Sequence, residues 1–241
     1  MEITRLEEEI LRENFKTDGE YYSAVKRLKN GEPLAYIIGK WYFFGLEFAL
    51  DGSTLIPRPD TEHLVDFLIK RLPKNSELID LGTGSGCIAI ATLVNRNDVS
   101  ATLVDISEKA LDRAKENALL NCVIDRCKFI QCDILDGIPS GEYDAVVSNP
   151  PYIRSEVIET LQDSVKNYEP RTALDGGADG LVFYRSIIKN APQYIKKGGF
   201  LLFEIGYDQK NEIEKLANEY KYACNVYRDY GGNDRMAVFE I

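Results

Sequence analysis

The sequence predicts an α/β fold: a doubly wound, mostly parallel sheet of seven strands, preceded by a short helical segment and a β-hairpin connector. Three observations lead there. From Glu77 onward, short runs rich in Val, Ile and Leu alternate with helical patterns, as in a parallel sheet. Three glycines, Gly82, Gly84 and Gly86, turn the first of these strands into a helix of small and apolar residues. The chain ends in two apolar runs around Gly231-Gly232, which read as a terminal hairpin.

Taken in order, Ile3, Leu6, Ile10 and Leu11 recur at helical spacing, so an amphipathic helix opens the chain and Asp18-Gly19 breaks it. A second helix is expected over Tyr21–Lys29, with Tyr22, Val25 and Leu28 on one side and Asn30-Gly31 as its stop. Trp41–Phe44 and Leu46–Leu50 flank Gly45 as a hairpin, in which Phe48, like Tyr36 before it, reads as packing. Pro57 and Pro59 hold an extended segment, and Asp60 or Thr61 is placed to cap the helix through Leu64, Val65, Phe67, Leu68 and Ile69. Arg58 and Glu62 flank this turn as candidate pocket-lining charges, with capping alone as the plainer reading; His63, the only histidine, reads as an early helix residue.

Strands follow at Glu77–Leu81, Ser100–Val104 ending at Asp105, Lys128–Ile130, Tyr143–Val147, Phe200–Ile205, Ala223–Arg228 and Arg235–Glu240. Helices are expected over Cys87–Val94, from a Ser107 cap through Ala118, and over Glu156–Val165, Leu181–Tyr194 and Gln209–Tyr220; Lys196–Gly199 reads as a turn. The division that results is 1–31 helical, 32–57 connector and 58–241 the domain that carries the site.

A chain of 241 residues suits one domain with an appendage, or two small ones. The net charge of −10 and pI near 4.8 argue against broad nucleic-acid binding, which needs basic patches, without excluding a local basic groove. Cys87, Cys122, Cys127, Cys132 and Cys224 are odd in number and match no zinc spacing; free thiols in a reducing cytosol and no metal site are expected. No apolar run is long enough for a membrane span. The acidic start, Met1–Glu9, lacks the apolar core of a signal peptide, so a cytoplasmic location is expected.

The chemistry concentrates at two strand ends. Asp80-Leu81-Gly82-Thr83-Gly84-Ser85-Gly86 differs from the dinucleotide fingerprint, because Cys87 stands where the third glycine belongs. An acidic residue two before the first glycine repels a pyrophosphate and attracts an ammonium group. S-adenosylmethionine has an α-amino group, a sulfonium and a ribose but no phosphate, and glycines let the backbone approach it closely. Asp105, beside Ile106 and about 20 residues past the loop, can accept ribose hydroxyls. Asp133 can accept from the adenine amino group. A generic strand-to-helix turn with exposed acids is the plainer alternative, and NAD is the competing ligand.

The second site is Ser148-Asn149-Pro150-Pro151-Tyr152. Two prolines hold Asn149 and Pro150 extended at the carboxyl edge of the fourth strand, where ligands sit in open α/β sheets. Asn149 adds an acceptor and an NH₂ donor, and Tyr152 a flat face. Such a group can grip a planar substrate bearing an NH₂, although Asn-Pro is also a common turn opener.

These residues carry a resemblance. Asp80–Gly86 resembles the first motif of class I methyltransferases, and Asn149–Tyr152 the fourth motif of those that methylate planar amino or amide nitrogens. With Gly31–Gly39, Ile56–Glu62, Glu169-Pro170, Ala173–Gly177 and Asp179–Leu181, the chain from about residue 25 onward resembles the HemK family, the glutamine N5-methyltransferases of peptide chain release factors. The resemblance implies a Rossmann-like methyltransferase fold that uses S-adenosylmethionine, releases S-adenosylhomocysteine, and acts on the glutamine of a Gly-Gly-Gln loop. It implies catalytic and substrate-binding roles for Asn149, Pro150, Pro151 and Tyr152. Cofactor binding falls to Asp80, Gly82, Thr83, Gly84, Ser85, Gly86, Asp105, Ile106, Asp133, Ile134 and Asn149. Two departures stand out: only about 30 residues precede Gly31-Glu32-Pro33, where the family usually carries a longer helical domain, and Ile134 occupies a place that is often aromatic.

Asn-Pro-Pro-Tyr is shared with adenine-N6 and guanine-N2 methyltransferases. A nucleic-acid base methyltransferase is therefore the first rival, and it needs a basic, partly aromatic groove for a flipped base. A cofactor-binding protein without turnover is the second, and an NAD-dependent reductase the third.

Overall fold

Two Thr-x-x-Glu boxes set the start of the chain. Thr4 and Glu7 cap α1 (Arg5–Asn14) and Thr17 and Glu20 cap α2 (Asp18–Lys29), each side chain satisfying the other's backbone N–H. Because Thr17 is the cap, Asp18-Gly19 lies inside the first turn of α2 and does not break the chain before it. The buried face of α2 is Tyr21, Ala24 and Leu28, whereas Tyr22 is exposed. This face closes on Leu11 and on Ile37 of α3 (Leu34–Ile38) as a small separate core. The computed structural model describes residues 3–241; Met1 and Glu2 of the acidic start lie outside them.

β1 (Lys40–Phe43) and β2 (Leu46–Ala49) pair as the expected hairpin, turning at Phe44-Gly45, both at positive φ as a tight hairpin requires. Phe43 and Phe48 are buried edge to face in the main core, so Phe48 packs. Tyr36 is buried too, its hydroxyl donating to Thr54 O at 2.6 Å.

The main sheet contains β3 (Glu77–Leu81), β4 (Ser100–Asp105), β5 (Cys127–Gln131), β6 (Tyr143–Ser148), β7 (Ile195–Glu204), β8 (Ala223–Arg228) and β9 (Asp234–Glu240). Their order is β5-β4-β3-β6-β7-β9-β8; the first five are parallel, and β9 runs antiparallel to both β7 and β8. Successive residues alternate between faces. Leu78, Ala145, Val147 and Leu202 meet α4 (Glu62–Arg71), α5 (Cys87–Asn95) and α6 (Glu108–Leu120) on one side. Ile79, Leu81, Val146 and Leu201 meet α8 (Val182–Asn190) and α9 (Lys210–Tyr220) on the other; α7 is the single turn Asp163–Lys166. The central strands β3, β4 and β6 are largely apolar because both faces are covered, whereas the edge strands β5 and β8 are partly exposed. From β3 the chain winds outward through β4 and β5, then returns to β6 on β3's other side, which opens a crevice at the carboxyl ends of β3 and β6.

Four local expectations change. Residues 156–165 are a 3₁₀ turn at Ile158–Thr160 followed by α7, not one helix. The helix expected to reach Tyr194 stops at Asn190 and continues as a 3₁₀ turn, with Pro192 in its first positions. Strand β7 begins at Ile195, before the expected Lys196–Gly199 turn, and passes through a register shift opposite Tyr143 and Ala145. Gly199 permits this, since a Cβ there would lie 2.7 Å from Asp144 O. Neither Asp60 nor Thr61 caps α4; Pro59–Thr61 is a 3₁₀ turn and the Thr61 hydroxyl is used elsewhere.

One buried side chain ties the connector to the sheet domain. Asn117 of α6 accepts from Ala49 N at 2.7 Å and donates to Ala49 O at 3.1 Å and to Ser85 O at 2.9 Å. Asn117→Ala leaves buried backbone groups unpartnered, and a loss of about 1–2 kcal/mol is expected, read as a lower urea midpoint with an unchanged slope.

Candidate active site

The glycine loop after β3 is shaped by its own backbone. Gly82, Gly84 and Gly86 have φ of 70°, 55° and 81°, which glycine adopts without strain. Gly82 N and Thr83 N both donate to Val104 O at 2.9 Å, and Gly84 N donates to Asp105 Oδ2 at 2.9 Å. A Cβ on Gly86 would lie 2.7 Å from Ile90 Cδ1 and 3.2 Å from Leu103 and Ala114. Gly86, not the Cys87 position, therefore lets helix and strand touch, a role that counting residues along a dinucleotide pattern misses. Burial pushes the Cys87 thiol up to about 12, which leaves it an unreactive wall.

The loop opens onto a cavity of about 430 Å³ at the crevice between β3 and β6. Gly82, Thr83, Gly84, Ser85, Asp105, Ile106, Asp133, Ile134, Asn149 and Pro151 line it, together with Arg58, Thr61, Pro170–Ala173 and Asp175. Asp105 ends β4; it accepts from Gly84 N and, through Oδ1, from Ser107 N at 2.9 Å, and burial raises its pKa. Asp133 lies two residues beyond β5 and accepts from Leu135 N at 2.9 Å. Ile134 is buried at the wall, and Ile106 is half exposed.

Asp80 and Gly86 do not line the cavity; they sit behind the loop. Asp80 Oδ2 accepts from Thr83 Oγ1 at 2.7 Å, whereas its buried Oδ1 has no partner among the described residues. Burial pushes this carboxyl up to about 7. Of the two charges around Pro59, Arg58 lines the cavity and pairs with buried Glu169 at 2.5 Å. Glu62 does not line it: its carboxylate turns back to accept from Phe44 N at 2.7 Å. His63 is the second residue of α4, its ring 4.3 Å from that of Tyr230.

At the end of β6, Ser148 Oγ donates to Leu81 O at 2.6 Å, which joins the two strand ends flanking the cavity. Asn149 faces the cavity, Pro150 is buried beneath it, and Tyr152 is half-buried against the core of the α8 side. Pro150 and Tyr152 are not part of the cavity wall itself.

Behind these residues lies a polar group that no sequence motif marks. Glu204, the last residue of β7, is 2 % exposed. It accepts from Thr61 Oγ1 at 2.5 Å and from the Tyr152 hydroxyl at 3.4 Å. Thr61 Oγ1 in turn accepts from Asn149 Nδ2 at 3.3 Å. Burial raises the Glu204 pKa, opposed by Thr61 and by the charge of Arg235. The only trace in the sequence is a glutamate inside the apolar run Phe200–Ile205, a place where an unpaired charge is costly.

The Asn149–Tyr152 backbone is itself clamped. Ile153 N donates to Leu174 O at 3.0 Å and Gly176 N to Ile153 O at 2.8 Å. Gln209 Nε2 donates to both Tyr152 O and Gly180 O at 3.1 Å.

Residues 61–167 match the family model described as methyltransferase small domain. A release factor glutamine methyltransferase from Fusobacterium nucleatum is 43 % identical over 89 % of this chain, which spans 61 % of that relative, less than two thirds of its length. One from Clostridium botulinum is 40 % identical over 90 % of this chain and 78 % of its own length. Among solved structures, a methyltransferase from Pyrococcus furiosus superposes with a TM-score of 0.62 at 18 % identity, covering 90 % of this chain and 98 % of that one. A ribosomal protein L11 methylase from Lactobacillus delbrueckii does so with a TM-score of 0.54 at 22 % identity, over 76 % and 78 %. These two likenesses concern the fold.

Proposed function

Because the chain belongs to the release factor glutamine methyltransferase family, we propose that it methylates the side-chain amide nitrogen of the glutamine in the Gly-Gly-Gln loop of a release factor, with S-adenosylmethionine as donor. The observation that carries this reading is the placing of Asn149 on the same cavity wall as the glycine loop and Asp105. A planar-nitrogen grip and a nucleoside site then share one cavity.

The side chains suit this cofactor better than a dinucleotide. Asp105 and Asp133 line the cavity and would repel a pyrophosphate, while the two lining cations, Arg58 and Arg171, are already paired with Glu169 and with Glu159 and Asp175. Asp80 acts from behind the loop, where its carboxyl holds the hydroxyl of Thr83, which lines the cavity. Both Asp105 oxygens keep a free lone pair for ribose hydroxyls, and Ile134 covers an adenine face. Bound there, the cofactor supplies an electrophilic sulfonium methyl.

An amide nitrogen is a weak nucleophile because its lone pair is delocalised into the carbonyl. Asn149 Oδ1 and the Pro150 carbonyl accept its two hydrogens, hold it in place and favour a pyramidal nitrogen. Tyr152 stacks on the amide plane. Acceleration comes from orientation and fixed dipoles, and the amide proton passes to solvent water after transfer.

Mass spectrometry of a release factor incubated with the protein and S-adenosylmethionine is expected to show one added methyl on the loop glutamine. Transfer to DNA or RNA instead of the protein overturns the assignment. Asp105→Ala is expected to weaken S-adenosylhomocysteine binding by about 10- to 100-fold, since each charged hydrogen bond contributes about 1.5–3 kcal/mol. Isothermal titration calorimetry reads this directly.

A further inference from the structure

We propose that Thr61 and Glu204 are positioning residues for methyl transfer, because the hydroxyl of Thr61, committed to the buried Glu204 carboxylate, forces the Asn149 amide to turn its NH₂ inward and its Oδ1 toward the substrate. The inference rests on the release factor reading for its catalytic consequence, and on hydrogen-bond counting for its geometry.

An amide presents nearly identical faces, and which way it points is decided by its partners. A threonine hydroxyl has one proton to give. At 2.5 Å from Glu204 Oε2, that proton is given to the carboxyl oxygen. The Thr61 oxygen is then purely an acceptor on its remaining side. Asn149 Nδ2 lies there at 3.3 Å, so NH₂ is the group that faces it. The opposite end of the amide, Oδ1, is left for the cavity that Asn149 lines.

Burial raises the Glu204 pKa, and most of the groups around it oppose that shift. The hydroxyls of Thr61 and Tyr152 both donate to it, and the positive charge of Arg235 favours the carboxylate, while Asp60 opposes it. Arg235 is held in place by Asp229 at 3.3 Å and Asp60 at 3.4 Å. One carboxylate thus anchors both side chains of the substrate grip: Asn149 through Thr61, and Tyr152 directly. Three separated stretches meet here, the turn before α4 and the ends of β6 and β7. A charge this deep, 2 % exposed, is costly to bury and needs a return. Fixing the polarity of the relay supplies one.

Glu204→Gln is nearly isosteric but can donate. Its Nε2 can take the Thr61 oxygen and release the hydroxyl proton toward Asn149, which then turns Oδ1 away from the substrate. Thr61→Val removes the relay, and Thr61→Ser keeps it. The test measures kcat on a release factor, S-adenosylhomocysteine affinity, and the Asn149 side-chain NH₂ resonances, assigned by their loss in Asn149→Asp. The expected result is a fall in kcat of about 100-fold for Thr61→Val with cofactor affinity unchanged, and recovery to within about threefold in Thr61→Ser. The NH₂ resonances move in Thr61→Val and stay in Thr61→Ser. If Glu204→Gln folds, it behaves like Thr61→Val. Wild-type turnover in Thr61→Val, or equal loss in Thr61→Ser, overturns the proposal. If the wild-type protein methylates no release factor, the functional reading fails, and the NMR comparison still decides the relay.

Discussion

Asn149→Ala is expected to lower kcat about 100- to 1,000-fold while leaving S-adenosylhomocysteine affinity within about threefold, the size of effect seen when one preorganised group at a reacting centre is removed. The argument is one of place and rigidity. Asn149 follows Ser148, whose hydroxyl is fixed to Leu81 O, and precedes two prolines that hold φ. Its side chain is therefore carried by a strand end that has little freedom to relax into the space a methyl group would leave. The loop glycines and Asp105, proposed as the cofactor side, belong to other strands and keep their own hydrogen bonds. Asn149→Gln, which keeps the amide but shifts it by one methylene, should recover little of the loss, because a displacement near 1 Å already costs about 100-fold. Steady-state kinetics on a release factor together with calorimetry separate the two effects. Unchanged turnover in Asn149→Ala would remove the grip from the mechanism.

Much of this site could be read from the sequence because its parts are local. The glycine loop, Asp105, Asp133 and Asn149 each sit at or just beyond a strand end, and strand ends are marked by where apolar runs stop. The sheet is legible for the same reason: its central strands, buried on both faces, are largely apolar and need no partner to be recognised. What stayed hidden depends on contacts between distant segments. Thr61 looked like a helix cap, since Thr before a helix usually is one, but its hydroxyl is taken by Glu204, 143 positions away in sequence. Glu62 looked like a pocket charge, yet it serves the hairpin turn at Phe44. Gly86 carries the helix–strand contact only because Leu103 and Ala114 arrive from β4 and α6. In α2 Leu28 is buried as expected and Val25 packs against the same small core, but Tyr21 and Ala24 take the inner positions and leave Tyr22 exposed.

Gly180→Ala is expected to cost about 3 kcal/mol or more of stability and about 100-fold in kcat, although residue 180 touches no reactant. Gly180 has φ of +75°, where an alanine costs about 1–2 kcal/mol. Its Cβ would also lie 2.3 Å from Tyr152 O and 2.9 Å from Gln209 Nε2. The first of these is backbone, so no rotamer relieves the overlap, and forced repacking of this kind costs about 1–3 kcal/mol more. The neighbouring Gly176 is equally tight, with its Cβ position 2.7 Å from Pro151 O, so the segment cannot slide aside. The strain must pass into Tyr152 or into the Gln209 bridge that holds it. A fall in Tm of about 6–12 °C follows from the usual scaling for a domain of this size. Gly177→Ala is the matched control. Its φ is +86°, but its Cβ would meet only Val182 at an ordinary 3.5 Å, so it carries the backbone strain without the collision. The difference between the two variants in thermal unfolding and in kcat isolates the contact with Tyr152. Equal stability and equal turnover would mean that the glycine strip does not hold the substrate grip in place.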